Sequence, residues 1–338
     1  MAQENEKREV EFGVELTSEL QATDKGEYRL ATSGDACQSM NFVNLLRLDV
    51  SLPVSSSISL DAASLSTYMT ADESIGGDLQ TFSNLDAGTI PFALSVCNVA
   101  WKINDRHALF AGIRNMNLDY FTSPATSLFT NSSCGIFPTI SANYPIANYP
   151  VASVGIHYKY DNDNDNDDDN DDSSTGSGQT TDNDGGWFGF QASLYNGMGY
   201  NRFTGRNNIF RVCPKDDGVF GIAEVSYIRG GSRYFLGNAL YLKEGVSATP
   251  WFYTEQSIFP DLTLLACCSH AFSTRAECKD FIGLGALYKS GKCQLGVFTD
   301  YVNFMERKEF AVNGFDFELR LTLMKLYIKT KTVLLQFS

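Results

Sequence analysis

The feature that most constrains this chain is a two-residue alternation of apolar and polar side chains, renewed in segments of about ten residues with turn chemistry between them. In Phe42 to Leu52 the residues Phe42, Leu46, Leu48, Val50 and Leu52 make one face, while Arg47, Asp49 and Ser51 share the other. Trp187 to Asn196 sets Phe188, Phe190, Ala192 and Leu194 against Gln191, Ser193 and Tyr195. Val219 to Tyr227, Lys292 to Tyr301 and Phe315 to Leu323 repeat the pattern. Successive side chains take opposite faces only in an extended strand, so the chain reads as all-β.

Alternation by itself also suits a soluble sandwich, whose charged face looks onto bulk water. Number and continuity favour a membrane barrel: about sixteen candidate strands, an even count of porin size. Many are joined by short polar turns such as Asn104-Asp105-Arg106 and Ser290-Gly291-Lys292. No apolar run approaches the roughly twenty residues of a helical span, whereas tilted barrel strands cross in about ten. The mean hydropathy of -0.17 fits that construction. The expectation is a single transmembrane antiparallel β-barrel over residues 1–338, apolar outside and polar within. Parity then places Arg47, Asp49, Arg114, Trp187, Tyr195, Glu224, Asp300, Glu318 and Arg320 along the lumen as candidate solute-path residues.

A formal net charge of -14 argues against a nucleic-acid surface, which needs clustered Lys and Arg. Three longer connections interrupt the strand rhythm, near residues 70–90, 118–149 and 161–185. The second carries Pro and Asn and suits a constriction loop folded into a lumen, because its polar backbone needs water or a lined cavity. An ordinary extracellular loop is the plainer reading. The third opens with the acidic run from Asp161 to Asp172, which repels itself and cannot bury a core. It is expected to be an exposed acidic loop. Its alternating Asp161, Asp163, Asp165 and Asp167 resemble the start of a calcium loop, but the Gly and Glu of a complete one are missing. No other cofactor is indicated.

The eight cysteines show no C-x-x-C spacing, and adjacent Cys267 and Cys268 would point to opposite faces of a strand. Free thiols acting as small hydrophobes are expected. His107, His157 and His270 come with no nucleophile motif, so catalysis is not expected. The first residues, Met1 to Lys7, have neither a basic n-region nor an apolar h-region, and the expectation is a start from which a leader has been removed.

Residues 128 to 155 read Leu128-Phe129-Thr130-Asn131-Ser132-Ser133-Cys134-Gly135-Ile136-Phe137-Pro138, then Asn143-Tyr144-Pro145 and Tyr149-Pro150-Val151-Ala152-Ser153-Val154-Gly155, with Leu194-Tyr195-Asn196-Gly197 further on. This stretch resembles the carbohydrate-selective porin family of the OprB type, in which Asn-Ser-x-x-Gly-x-x-Pro leads through Tyr-Pro to a glycine-bearing strand. It covers about a fifth of the chain. Cys134 stands where the family pattern leads one to expect an aromatic, and the acidic insertion replaces a shorter connection. The resemblance implies a sixteen-stranded barrel in a bacterial outer membrane, in contact with outer-membrane lipid and lipopolysaccharide. It also implies passive diffusion of small sugars, by a monomer or homotrimer. Two other functions remain open: a plugged barrel that binds or scaffolds for surface glycan uptake, and an outer-membrane barrel enzyme.

Overall fold

The computed structural model describes residues 10–22, 40–70, 88–126, 134–147, 151–161, 186–199, 208–243, 245–290, 293–304 and 315–321. Their strands are β1 (Glu11–Ala22), β2 (Met40–Pro53), β3 (Ile58–Met69), β4 (Ile90–Asn104), β5 (His107–Arg114), β6 (Ser153–Asp161) and β7 (Trp187–Asn196). There follow β8 (Val219–Arg229), β9 (Ser232–Leu242), β10 (Val246–Phe259), β11 (Leu262–His270), β12 (Cys278–Ser290), β13 (Cys293–Phe304) and β14 (Phe315–Leu321). All join one sheet in chain order, each antiparallel to the next. This up-and-down meander is the topology of a transmembrane barrel. The chain's C-terminal stretch from Lys325 lies outside the described residues.

The alternation sorts the side chains as a bilayer requires. Phe12, Val14, Leu16 and Leu20 on β1, Phe92 on β4, Phe188 and Leu194 on β7, Leu236 on β9, and Ile282 and Leu284 on β12 are all exposed. A large apolar girdle of this kind would be untenable against water and is the outer surface of an outer-membrane-type barrel. No described helix is long and apolar enough to cross a membrane; the strands do so. Cys268 falls on the exposed face and Cys267 on the buried one, and Cys97, Cys213, Cys267, Cys268 and Cys278 are free thiols.

Strand directions give the barrel two unlike ends. At one lie the tight connections β2–β3, β4–β5, β8–β9, β10–β11 and β12–β13. The β8–β9 turn uses Gly230 and Gly231, both at positive φ (56° and 78°), as a two-residue hairpin matched to strand twist demands. The connection from β6 to β7, which carries the acidic insertion, belongs to this same end. At the other end are the long connections β3–β4, β5–β6 and β7–β8, the last including the short helix Pro214–Asp217. Asp161 itself closes β6, its N–H donating to Arg106 O at 2.9 Å; Asp163, Asp165 and Asp167 lie outside the described residues.

Inside, aromatic rings rest on glycines of the neighbouring strand. Tyr195 lies over Gly155, Trp251 over Gly237 and Phe298 over Gly285, and each is a direct register partner. A Cβ at any of these glycines would collide with the facing ring or with backbone. The glycine thus lets a large inward ring lie flat against the wall.

Candidate functional site

The β5–β6 connection is the element that shapes the interior. It begins with a 3-10 turn at Met116–Leu118, whose start is capped by the Asn115 side chain accepting from Asn117 N–H. It later forms the one-turn helix α1 (Pro138–Ser141). Asn117 Nδ2 donates to Ala147 O at 3.1 Å and ties the two arms of the loop together.

The described parts of this loop, 115–126 and 134–147, pack on inward side chains of strands far away in sequence. Tyr120 hydroxyl contacts Ser193 Oγ at 2.7 Å on β7 and donates to Ile222 O on β8. Gln191 Nε2 donates to Asp119 O and to Glu224 Oε1, at 2.8 and 2.9 Å. Glu255 on β10 accepts from Ser123 Oγ, from Ala125 N–H and from the Tyr253 hydroxyl, with Arg233 3.6 Å away. Thr139 meets Ser269 on β11, Tyr144 meets Thr249 on β10, and Asn143 bridges to both the N–H and the C=O of Cys278 on β12. Contacts from one loop to strands β7 through β12 require the sheet to wrap around it.

Aromatic packing fills the space between these polar anchors. The Phe121 ring sits 4.9 Å from Trp251 and 5.2 Å from Phe137, which in turn stands 5.2 Å from Phe281. Tyr144 packs on Phe220 at 5.3 Å. Phe121 reaches its place with φ at 63°, a left-handed conformation that costs a non-glycine residue about 1–2 kcal/mol. The burial of its ring offsets that cost. Burial also raises the Tyr120 and Tyr144 hydroxyls above the ordinary tyrosine range, so both serve as neutral hydrogen-bonding groups.

At the root of the loop, Arg114 holds Asp119 through both carboxylate oxygens and lies 4.5 Å over the Phe110 ring. His157 places Nδ1 2.7 Å from Ser193 Oγ and Nε2 3.8 Å from Asp119. Ser, His and Asp are thereby neighbours, yet His157 is 2% exposed and Ser193 7%, and the Ser193 hydroxyl is shared with Tyr120. The group is a packed joint between loop and wall.

The opposite wall is wetter. On β2, Arg47 forks onto Asp49 at 2.7 to 3.0 Å, and both are about one-third exposed. On β3, Asp61 accepts from Ser51 and Ser59 hydroxyls at 2.8 Å, with Asn98 Nδ2 of β4 at 3.4 Å.

The residues singled out from sequence therefore divide. Arg47 and Asp49 form one group and Arg114 stands at the loop root. Tyr195 and Glu224 face inward but are sealed at 2% and 5% exposure, with Glu224 accepting from Gln191 and Trp251. Trp187 starts β7 at the tight-turn end, half-buried, and Asp300 lies half-buried on β13. Glu318 and Arg320 pair in register with Gly296 and Gln294; their side chains lie outside the described residues. Local patterning missed Asp119, His157, Trp251, Tyr253 and Glu255. On β10 the odd positions Trp251, Tyr253 and Glu255 share one face, but each face mixes aromatic and polar residues, the other carrying Phe252 with Thr254 and Gln256, so no contrast marked them. Among the described residues no cluster of acidic, His or Cys side chains could hold a metal ion.

No family model matches the sequence, and no curated protein gives a significant match. The high-pH structure of Pseudomonas putida OprB shares the fold at 13% identity and a TM-score of 0.65, over 88% of this chain and 76% of that one. Looser likenesses include an anion-selective porin from Comamonas acidovorans (13% identity, TM-score 0.43, 88% of this chain and 77% of that chain). Another is Salmonella typhi OmpF in complex with daunomycin (8% identity, TM-score 0.43, 90% and 93%). In fold, this chain is a transmembrane antiparallel β-barrel similar to Pseudomonas putida OprB.

Proposed function

We propose that the barrel is a bacterial outer-membrane porin through which small solutes, above all mono- and oligosaccharides, diffuse passively. The observation that carries this reading is the division of the interior: the described parts of the loop, 115–126 and 134–147, are packed against β7 to β12, whereas β1 to β3 present half-exposed polar side chains inward. A loop held to one wall narrows a channel and leaves a path along the other. Polar groups there, Arg47, Asp49 and Asp61, can hydrogen-bond solute hydroxyls without enclosing them, as passage rather than storage requires.

The sugar assignment draws on the OprB-type motif between residues 128 and 197 and on the fold likeness to OprB. The partners this reading needs are small sugars within and membrane lipid around the girdle, with the barrel acting as a monomer or homotrimer. It calls for no catalysis and no cofactor.

The dense aromatic packing around Phe121, Phe137, Trp251 and Phe281 favours one rival, a plugged barrel that binds glycan or scaffolds a partner. Planar-bilayer recording and liposome swelling separate the two. Stable conductance, with monosaccharides entering faster than disaccharides, is the expected result. A silent barrel that still binds sugar or protein would establish the scaffold instead.

A further inference from the structure

The charge on the open wall is lopsided. Parity places Glu11, Glu15 and Glu19 of β1 on the inner face, because Phe12, Val14, Leu16 and Leu20 take the exposed apolar one. Glu15 is the register partner of Arg47, and Glu11 of Ser51. Asp49 continues the row on β2 and Asp61 on β3, where Ser51 and Asp61 are themselves register partners. Glu11 and Glu15 are exposed, and Glu19, Asp49 and Asp61 are half-exposed. Among the described inner-face residues of β1 to β3, Arg47 is the sole cation, and it is already forked onto Asp49. Among the described residues Glu11, Glu15, Asp49 and Asp61 thus face one guanidinium.

Elsewhere among the described residues the inward cations are matched in pairs, Arg114 with Asp119, Lys159 with Asp161 and Arg233 with Glu255, while Glu224, hydrogen-bonded to Gln191 and Trp251, adds no cation. The β1–β3 wall therefore sets the sign of the field where the channel is open. We infer that this lumen conducts cations in preference to anions, and that its organic cargo is neutral or cationic, with anionic solutes such as sugar phosphates disfavoured. This rests on the pore reading above. Water confined between low-dielectric walls focuses such a field and enriches counter-ions by the potential it creates. Because the wall charges are partly exposed, added salt should screen them, the Debye length falling from about 10 Å at 0.1 M to about 3 Å at 1 M.

The test is the reversal potential of the purified full chain in a planar bilayer under a KCl gradient. The expected potassium-to-chloride permeability ratio is well above one at 0.1 M and several-fold smaller at 1 M. Glu11→Gln, Glu15→Gln and Glu19→Gln together should bring the low-salt ratio several-fold closer to one. Because these side chains lie at the water-facing edge of the packing, the salt series on the unaltered protein provides the same test independently of how the variant folds. Open channels with a ratio at or below one, or a ratio indifferent to salt, would overturn this inference and leave the pore standing. Absence of any channel would overturn the pore reading and this one with it.

Discussion

The indole of Trp251 lies across Gly237, its direct partner in the β9–β10 register, and from there reaches both the loop and a buried carboxylate. Its face packs on Phe121, and its Nε1–H points to Glu224 Oε2 at 3.4 Å. A side chain at position 237 would drive the ring off the wall. Gly237→Ala should cost about 1–3 kcal/mol, the usual range for overpacking. The folded barrel should lose its heat-modifiable mobility in detergent electrophoresis at a lower temperature, and its single-channel conductance should rise as the Phe121 contact loosens. A variant with unaltered thermal transition and conductance would show that the ring does not support the loop.

Glu255 is the polar counterpart of that support. It collects Ser123, Ala125 N–H and Tyr253 on one carboxylate oxygen, all within a region closed to solvent. Glu255→Ala leaves these donors without their acceptor and Arg233 without its counter-charge, a loss on the order of 3–5 kcal/mol when a buried pair is broken. Glu255→Gln keeps an acceptor oxygen and should be milder. The expected signature is a noisier channel of higher conductance in the alanine variant and near-parental behaviour in the glutamine one. Equal behaviour of the two would assign Glu255 no part in holding the loop.

These two supports show where the sequence was legible and where it was not. The parity rule separates Phe188 and Leu194 from Tyr195, and Cys268 from Cys267, because a strand admits only two faces. It assumes that the inner face is polar. In β10 to β12 the inner face is instead Trp251, Tyr253, Leu265, Cys267 and Phe281, buried against the loop. Nothing within ten residues of Glu255 reveals Ser123, which is 132 positions away, and nothing near Tyr120 reveals Ile222, 102 positions away. The glycine and aromatic pairs are likewise invisible until the register is known. Local periodicity therefore gives the wall, and long-range docking gives the channel.

The loop root offers a third test. Asp119 is held by the Arg114 fork and through its backbone carbonyl by Gln191, with Arg114 mostly buried. Asp119→Ala strands a guanidinium beside Phe110, at a cost on the order of 2 kcal/mol, less than a fully enclosed pair because water still reaches the fork. The open-channel current should fluctuate between levels as the root moves. Arg114→Ala made together with Asp119→Ala should restore a steadier trace, since the stranded charge is gone. A double variant noisier than the single one would contradict this account.

The last prediction concerns orientation. In bacterial barrels the short turns face the periplasm and the long loops face outward. Here β6 ends at Asp161 and β7 begins at Trp187 on the same end as the Gly230-Gly231 hairpin, while the lumen-packed loop leaves from the opposite end. The strand ends that flank the acidic insertion, Asp161 and Trp187, therefore belong to the periplasmic end. A cysteine placed at Ser177, in a background with the native thiols Cys37, Cys97, Cys213 and Cys268 replaced by serine, should react with a membrane-impermeant maleimide only after the outer membrane is permeabilised. A cysteine at Asn208, on the connection between β7 and β8, should react in intact cells. Labelling of Ser177→Cys in intact cells would invert the barrel's assignment, and deletion of 163–184 should leave its assembly and thermal transition unchanged, because β6 and β7 pair directly through Asp161 and Gly189.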